Sequence, residues 1–134
     1  MRRDAGTVTP LIVGMVLVAG LVMTATVAAS AAFLAQRDLA GLCDGAAVAA
    51  AAAATVPDAD GLPAVDPVLV AEATVRYGQD ADPAGGTALD AATDGRTVTV
   101  VCSRTVEIPF GAAVGAPHGL DRTVTARARP VRRR

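Results

Sequence analysis

Aromatic residues make up only 2% of the 134 residues: Tyr77, Phe33 and Phe110, with no Trp. The large rings that dominate the cores of small domains are therefore missing, and any fold must rest on Ala, Val, Leu and Ile. A core of that kind is thin, and a small domain built on one needs a staple or a neighbour. Lysine is absent as well. All twelve basic residues are Arg, which reads as a high-GC coding bias rather than as chemistry. The lone His118, in APHG, has no partner at ligand spacing and reads as a loop residue, so no metal is expected. It is paired with no nucleophile by any catalytic motif, and the acids are scattered through turn-like stretches that favour Asp for capping. No G-x-G-x-x-G or phosphate loop occurs, and Gly85-Gly86 is an ordinary loop pair. These absences argue against an enzyme, a cofactor or a small-molecule substrate.

Charge is missing from one long stretch. Between Asp4 and Arg37 there is no charged residue, and residues 11–34 read LIVGMVLVAGLVMTATVAASAAFL, interrupted only by Thr24, Thr26 and Ser30. As a helix this run is roughly 36 Å long, enough to cross a hydrocarbon core of about 30 Å with some tilt. Pro10 stands just before it, where a helix tolerates proline because the first amides have no intrahelical partner. Arg2 and Arg3 before the run, against Arg37 balanced by Asp38 after it, place the N-terminus in the cytoplasm and the C-terminus outside. The rival reading is a cleaved secretory signal, with small residues 25–32 offering A-x-A-like sites. Against it, the apolar stretch is longer than an ordinary signal core, and helix-forming sequence continues without a break to about Ala54.

The net charge of −1 conceals segregation. Residues 44–107 carry ten acids against Arg76, Arg96 and Arg104, whereas residues 122–134 carry six Arg and no acid. The basic tail, ending RARPVRRR, reads as a solvated terminus, with attraction to anionic lipid or an envelope polymer as the functional alternative. Nucleic acid is not expected, because the tail falls on the wrong side of the membrane and no binding fold accompanies it.

Two cysteines, Cys43 and Cys102, would face an oxidising compartment, and one pair allows one intramolecular connectivity. A bridge between them closes a loop of about 60 residues, worth roughly 4 kcal/mol on the chain-entropy model.

The remaining pattern predicts an α+β fold. Four segments follow from composition shifts: a cytoplasmic head (1–10), a transmembrane helix (11–35), its continuation outside the membrane (36–56) and a small extracytoplasmic α+β domain with the basic tail (57–134). Ala-rich sequence carries a single helix from about Val8 to Ala54. Gly41 and Gly45, four apart, share one face and suggest close approach of another helix. Pro57, Asp58, Asp60, Gly61 and Pro63 break the helix into a linker. Asp66-Pro67 signals the start of a short second helix ending at Gly78, followed by a loop over 79–86. A weak strand (87–92), the Asp94-Gly95 turn signal, a strand over 96–108 and a third over 122–128 predict a three-stranded antiparallel sheet. Val98, Val100 and Cys102 share its apolar face, as do Val124, Ala126 and Ala128. The long helix should cover that face.

Residues 6–54 resemble the TadE/TadG-like proteins of Flp (tight adherence) pilus assembly, in the short actinobacterial form. The likeness lies in a charged head ending in a small residue (RRDAG), a membrane helix, and an exit segment LAQRDLAGLCDGAAVAAAAAA. That segment is similar to the family's Arg-containing turn before a D-x-A-A-x-A-A-A run, matched here by Asp44, Ala46, Ala47, Ala49, Ala50 and Ala51. The resemblance implies a pilin-like, membrane-anchored minor or accessory subunit of a pilus or secretion apparatus, with other helices of that assembly as partners. Processed pilins of this type carry Glu five residues after the cleaved Gly; the position five after Gly6 is Leu11. A membrane-retained accessory role, closer to TadG-like proteins, fits that departure. The alternative is a secreted or anchored envelope-binding module that uses the basic C-terminus or the FGAAVGAPHGL loop.

Overall fold

The computed structural model describes residues 8–107, 109, 111–115 and 117–130. A single helix, α1 (Val8–Ala53), is followed by two short strands, β1 (Thr55–Pro57) and β2 (Pro63–Val65). Then come helix α2 (Pro67–Ala81) and strands β3 (Ala88–Thr93), β4 (Val98–Val106) and β5 (Leu120–Ala128), with a single 3₁₀ turn (Gly111–Val114) between the last two. The class is α+β, and the three-stranded sheet is antiparallel in the order β3-β4-β5.

Two environments divide α1. Every Val, Leu, Ile, Met and Phe of residues 8–34 is exposed, Met15 to 74% and Leu11 to 71%. A helix apolar on all sides, with every large side chain exposed and Ala28 alone buried among residues 8–34, is one suited to hydrocarbon. It is long and apolar enough to cross a membrane. The three hydroxyls of residues 11–34 are satisfied within the helix: Thr24, Thr26 and Ser30 each donate to the carbonyl four residues back, at 2.8 Å. No donor is left bare where water would be absent.

Past Gln36 the same helix turns into the core of a domain. Leu39, Cys43, Ala46, Ala47, Ala50 and Ala51 are buried. Their spacing of three and four draws one stripe along the helix. Against that stripe lie Val98, Val100 and Cys102 of β4 and Ala126 of β5, with Val65 and Val70 closing the distal end. Alanine suits this face because a methyl group lets the sheet approach the helix backbone closely. The cost is burial area. Among the described residues the largest fully buried side chains are Leu39, Val70, Val98, Val100 and the two cysteines, with no aromatic among them.

Register explains the sheet's single apolar face. Opposite residues in an antiparallel pair share a face, and Leu89, Cys102 and Val124 are aligned, as are Ala91, Val100 and Ala126. Thr99, Arg127, Val101, Thr125, Ser103 and Thr123 take the other face. The β3–β4 connection is tied by Asp94, whose Oδ1 accepts from the amides of Arg96 and Thr97 at 2.9 and 2.6 Å.

Three expectations need correction. The proposed linker holds the β1–β2 hairpin, paired Thr55 to Val65 through Pro57 to Pro63. Its strands are too short, and too rich in Pro at their ends, to show a period of two. Helix α2 begins as expected, with Asp66 Oδ1 accepting from the amides of Val68 and Leu69 at 2.8 and 3.4 Å. It does not end at Gly78 but runs to Ala81 and is closed by the Asp82 amide donating to the Gly78 carbonyl. Gly78 is there for contact: a Cβ on it would lie 3.0 Å from the Leu89 side chain. The strand over 96–108 is shorter, Val98–Val106, and the third strand starts earlier, at Leu120.

Candidate anchoring and assembly site

The disulfide joins the two layers. Cys43 on α1 and Cys102 on β4 are bonded, with Cα atoms 5.8 Å apart and a sequence separation of 59. Both are fully buried. Cys43 points there because it belongs to the Leu39–Ala54 stripe, and Cys102 because it alternates with Val98 and Val100. The bond pins the centre of the sheet to the helix about one and a half turns beyond Arg37.

Gly41 and Gly45 do not form one open face. Gly41 is exposed, and a Cβ on it would meet nothing within 4 Å. Gly45 is covered by α2, where a Cβ would overlap the hydroxyl of Tyr77. The close helix approach foreseen at Gly45 is thus made inside the domain, between α1 and α2. The sequence signal for it was present but unused: Val70, Thr74 and Tyr77 recur at helical spacing on α2, and Tyr77 is the one aromatic there. Which helix it meets is a long-range fact that spacing does not carry.

The alanines of the exit segment have a structural reason. Ala46, Ala47, Ala50 and Ala51 are buried in the helix–sheet interface, Ala49 is half-buried at its margin, and Asp44 is exposed. An Ala run at these positions is what close packing of this sheet on this helix requires.

A polar cluster lies one step along the sheet from the disulfide. Arg104 of β4 donates from Nη2 to Asp82 at 2.9 Å and from Nε to the Thr87 hydroxyl at 2.8 Å. The Thr87 hydroxyl and then the Arg104 guanidinium hold the Asp82 carboxyl below its ordinary value. Directly across from Arg104 stands Arg122 of β5, a like-charge pairing that disfavours the ladder locally. The Arg122 Nε is buried without a hydrogen-bond partner among the described residues. Asp82 therefore neutralises one of two facing cations at the end of the apolar face. Sequence reasoning missed this cluster, since its members are separated by 17 and 22 residues along the chain.

Among the described residues no three His, Cys, Asp or Glu side chains are grouped to hold a metal ion. His118 is exposed in the β4–β5 connection. Residues 1–7, with the charged head and Gly6, and residues 131–134 of the basic tail lie outside the described residues. An open groove of about 880 Å³ runs between the end of α1, the β1–β2 hairpin and the end of β5, lined by Val48, Val56, Pro63 and Arg127 among others. Compared with protein-family models, curated proteins and solved structures, the chain matches none.

Proposed function

We propose that this protein is a non-enzymatic, single-pass membrane subunit, minor pilin-like or accessory, of a Tad/Flp-type pilus or secretion apparatus. Residues 11–35 cross the bilayer, the N-terminus is cytoplasmic, and the disulfide-stapled domain stands outside. One observation carries the reading: α1 is a single unbroken helix whose large apolar side chains are all exposed over its first half and which is the core of the domain over its last four turns. Anchor and domain therefore share one rigid element, so forces on one are transmitted to the other without a hinge. The buried alanines of the exit segment support the family likeness, because they are the residues that build this shared helix. Partners are the membrane and the helices of the assembly, met along residues 8–34 and at exposed Gly41.

The test is a reporter fused after Arg134, membrane fractionation and intact mass. An extracytoplasmic reporter, retention in the membrane and recovery of the 13.3 kDa chain are expected, together with crosslinks to pilus-assembly proteins. Cytoplasmic reporter activity would overturn the topology.

A specific observation favours one rival. Apart from Ala28, the buried residues of α1 begin at Leu39. Cleavage within residues 28–32 would thus leave the domain core whole, and a secreted envelope-binding module would be a stable product. A mature mass lacking about thirty N-terminal residues selects that reading.

A further inference from the structure

We infer that the connection between β4 and β5 is a second membrane contact, resting on the lipid surface beside the point where α1 leaves the bilayer. The inference depends on α1 spanning the membrane, as proposed above.

Chain direction is the first ground. The Asp66 amide donates to the Ala54 carbonyl and the Val65 amide to the Gly95 carbonyl, both at 3.0 Å. These bonds set the start of β4 beside the end of α1. Cys102 is then bonded to Cys43, so β4 runs antiparallel to α1 and heads back toward the apolar half of the helix. The distance is the second ground. From Cys102 to Val106 the strand advances about 13 Å, the rise of about nine helical residues. Counted back from Cys43, that reaches the level of Leu34, the last residue of the apolar run. A strand inclined to the helix still reaches the level of Arg37, the first charge after the run. Leu120, paired with Val106, stands at the same level, so the connection leaves and rejoins the sheet there.

Its composition matches that position. Residues 108–120, IPFGAAVGAPHGL, contain no Asp, Glu, Lys or Arg. Pro109, Ala112, Pro117 and Leu120 are exposed. The connections at the opposite end of the domain are charged, with Asp58 and Asp60 in one and Asp94 and Arg96 in the other. At the membrane-facing end the charges stand at the root of the loop and not within it: Glu107 and Asp121 are exposed, Asp121 accepting from the Thr105 hydroxyl at 2.6 Å, and Asp82 is turned onto Arg104. Gly119 fixes the root of the connection. Its φ is 83°, and a Cβ would strike the Val106 carbonyl, so the returning chain presses against β4 and keeps the two arms together. A loop without acidic or basic side chains, rooted at the height of the bilayer surface and with Pro109, Ala112, Pro117 and Leu120 exposed, buries those apolar atoms there, in the manner of an interfacial anchor. With that contact the domain stands on two feet, helix and loop, and its orientation to the membrane is set.

Because the chain has no Trp, a single introduced indole is an unambiguous probe. Ala112→Trp, Pro117→Trp, Leu17→Trp and Asp60→Trp variants of the full chain are reconstituted into phosphatidylcholine/phosphatidylglycerol vesicles whose acyl chains are brominated at a shallow or a deep carbon. The Leu17→Trp emission should be lost to deep bromines, and Ala112→Trp and Pro117→Trp emission to shallow ones with a blue shift. Asp60→Trp, which controls for the indole's own affinity for interfaces, should keep its emission. If Leu17→Trp is quenched while both loop variants behave like Asp60→Trp, the loop contact is wrong and the spanning helix stands. If Leu17→Trp is not quenched, the spanning reading fails and the loop contact fails with it.

Discussion

Replacing both cysteines, Cys43→Ala with Cys102→Ala, should cost this domain a large share of its stability. The bond closes 59 residues of chain, and the chain-entropy relation assigns such a loop about 4 kcal/mol of destabilisation in the unfolded state. Against this, a domain of about 95 residues has roughly 5–14 kcal/mol in all, and among its described residues this one has no buried aromatic and only four fully buried side chains of Val or Leu size. The total should thus fall at the low end, and the double variant should retain half or less of it. Tyr77 is the one Tyr, there is no Trp, and its ring covers Gly45 at the α1–α2 contact. Tyrosine fluorescence during urea unfolding of the full chain in detergent therefore reports on the domain and not on the apolar half of α1. With a slope of about 1–3 kcal/mol per molar urea, the midpoint should drop by roughly 1.5–4 M, and reductant should shift the native protein to the same place. A drop below about 0.5 M, on the same slope relation, would refute the view that the staple compensates for the thin core.

Two further outcomes follow from neighbouring contacts. Gly45→Leu should destabilise the domain by about 1–3 kcal/mol through overpacking against Tyr77, whereas Gly41→Ala, at a position with open space, should leave it intact or gain a few tenths from helix propensity; equal unfolding midpoints for the two would remove Tyr77 from the account. The pH dependence has a defined sign: the Asp82 carboxyl is held below its ordinary value, so the stability it contributes is present above the unfolded carboxylate range and is lost as pH falls through the lower folded value. Arg104→Met should flatten that acid limb of a melting-temperature profile, and an unchanged limb would assign the acid sensitivity to other carboxylates.

Sequence alone determined most of what is local here. The uncharged run of residues 11–34 and the Ala-rich continuation specify one long helix, because helix propensity and hydrocarbon length act on contiguous residues. Asp66-Pro67 placed the start of α2, since a cap is a matter of two or three neighbours. Alternation put Val98, Val100 and Cys102 on one face, and two cysteines allow one intramolecular pairing, Cys43 with Cys102; that their Cα atoms come within bonding reach was decided by the fold. Tertiary structure decided the rest. The end of α2 was not legible, because Gly78 sits mid-helix for contact with Leu89 rather than to stop it. Gly45 could be seen to invite a close neighbour, but only the folded chain shows that neighbour to be Tyr77 of the same domain. The Arg104, Asp82 and Thr87 cluster, the facing Arg122, and the level at which the β4–β5 connection leaves the sheet all depend on register between segments far apart in the chain. Periodicity tells which side of a strand or helix is apolar. What meets that side is set by which packing buries it best, and that is a property of the whole chain.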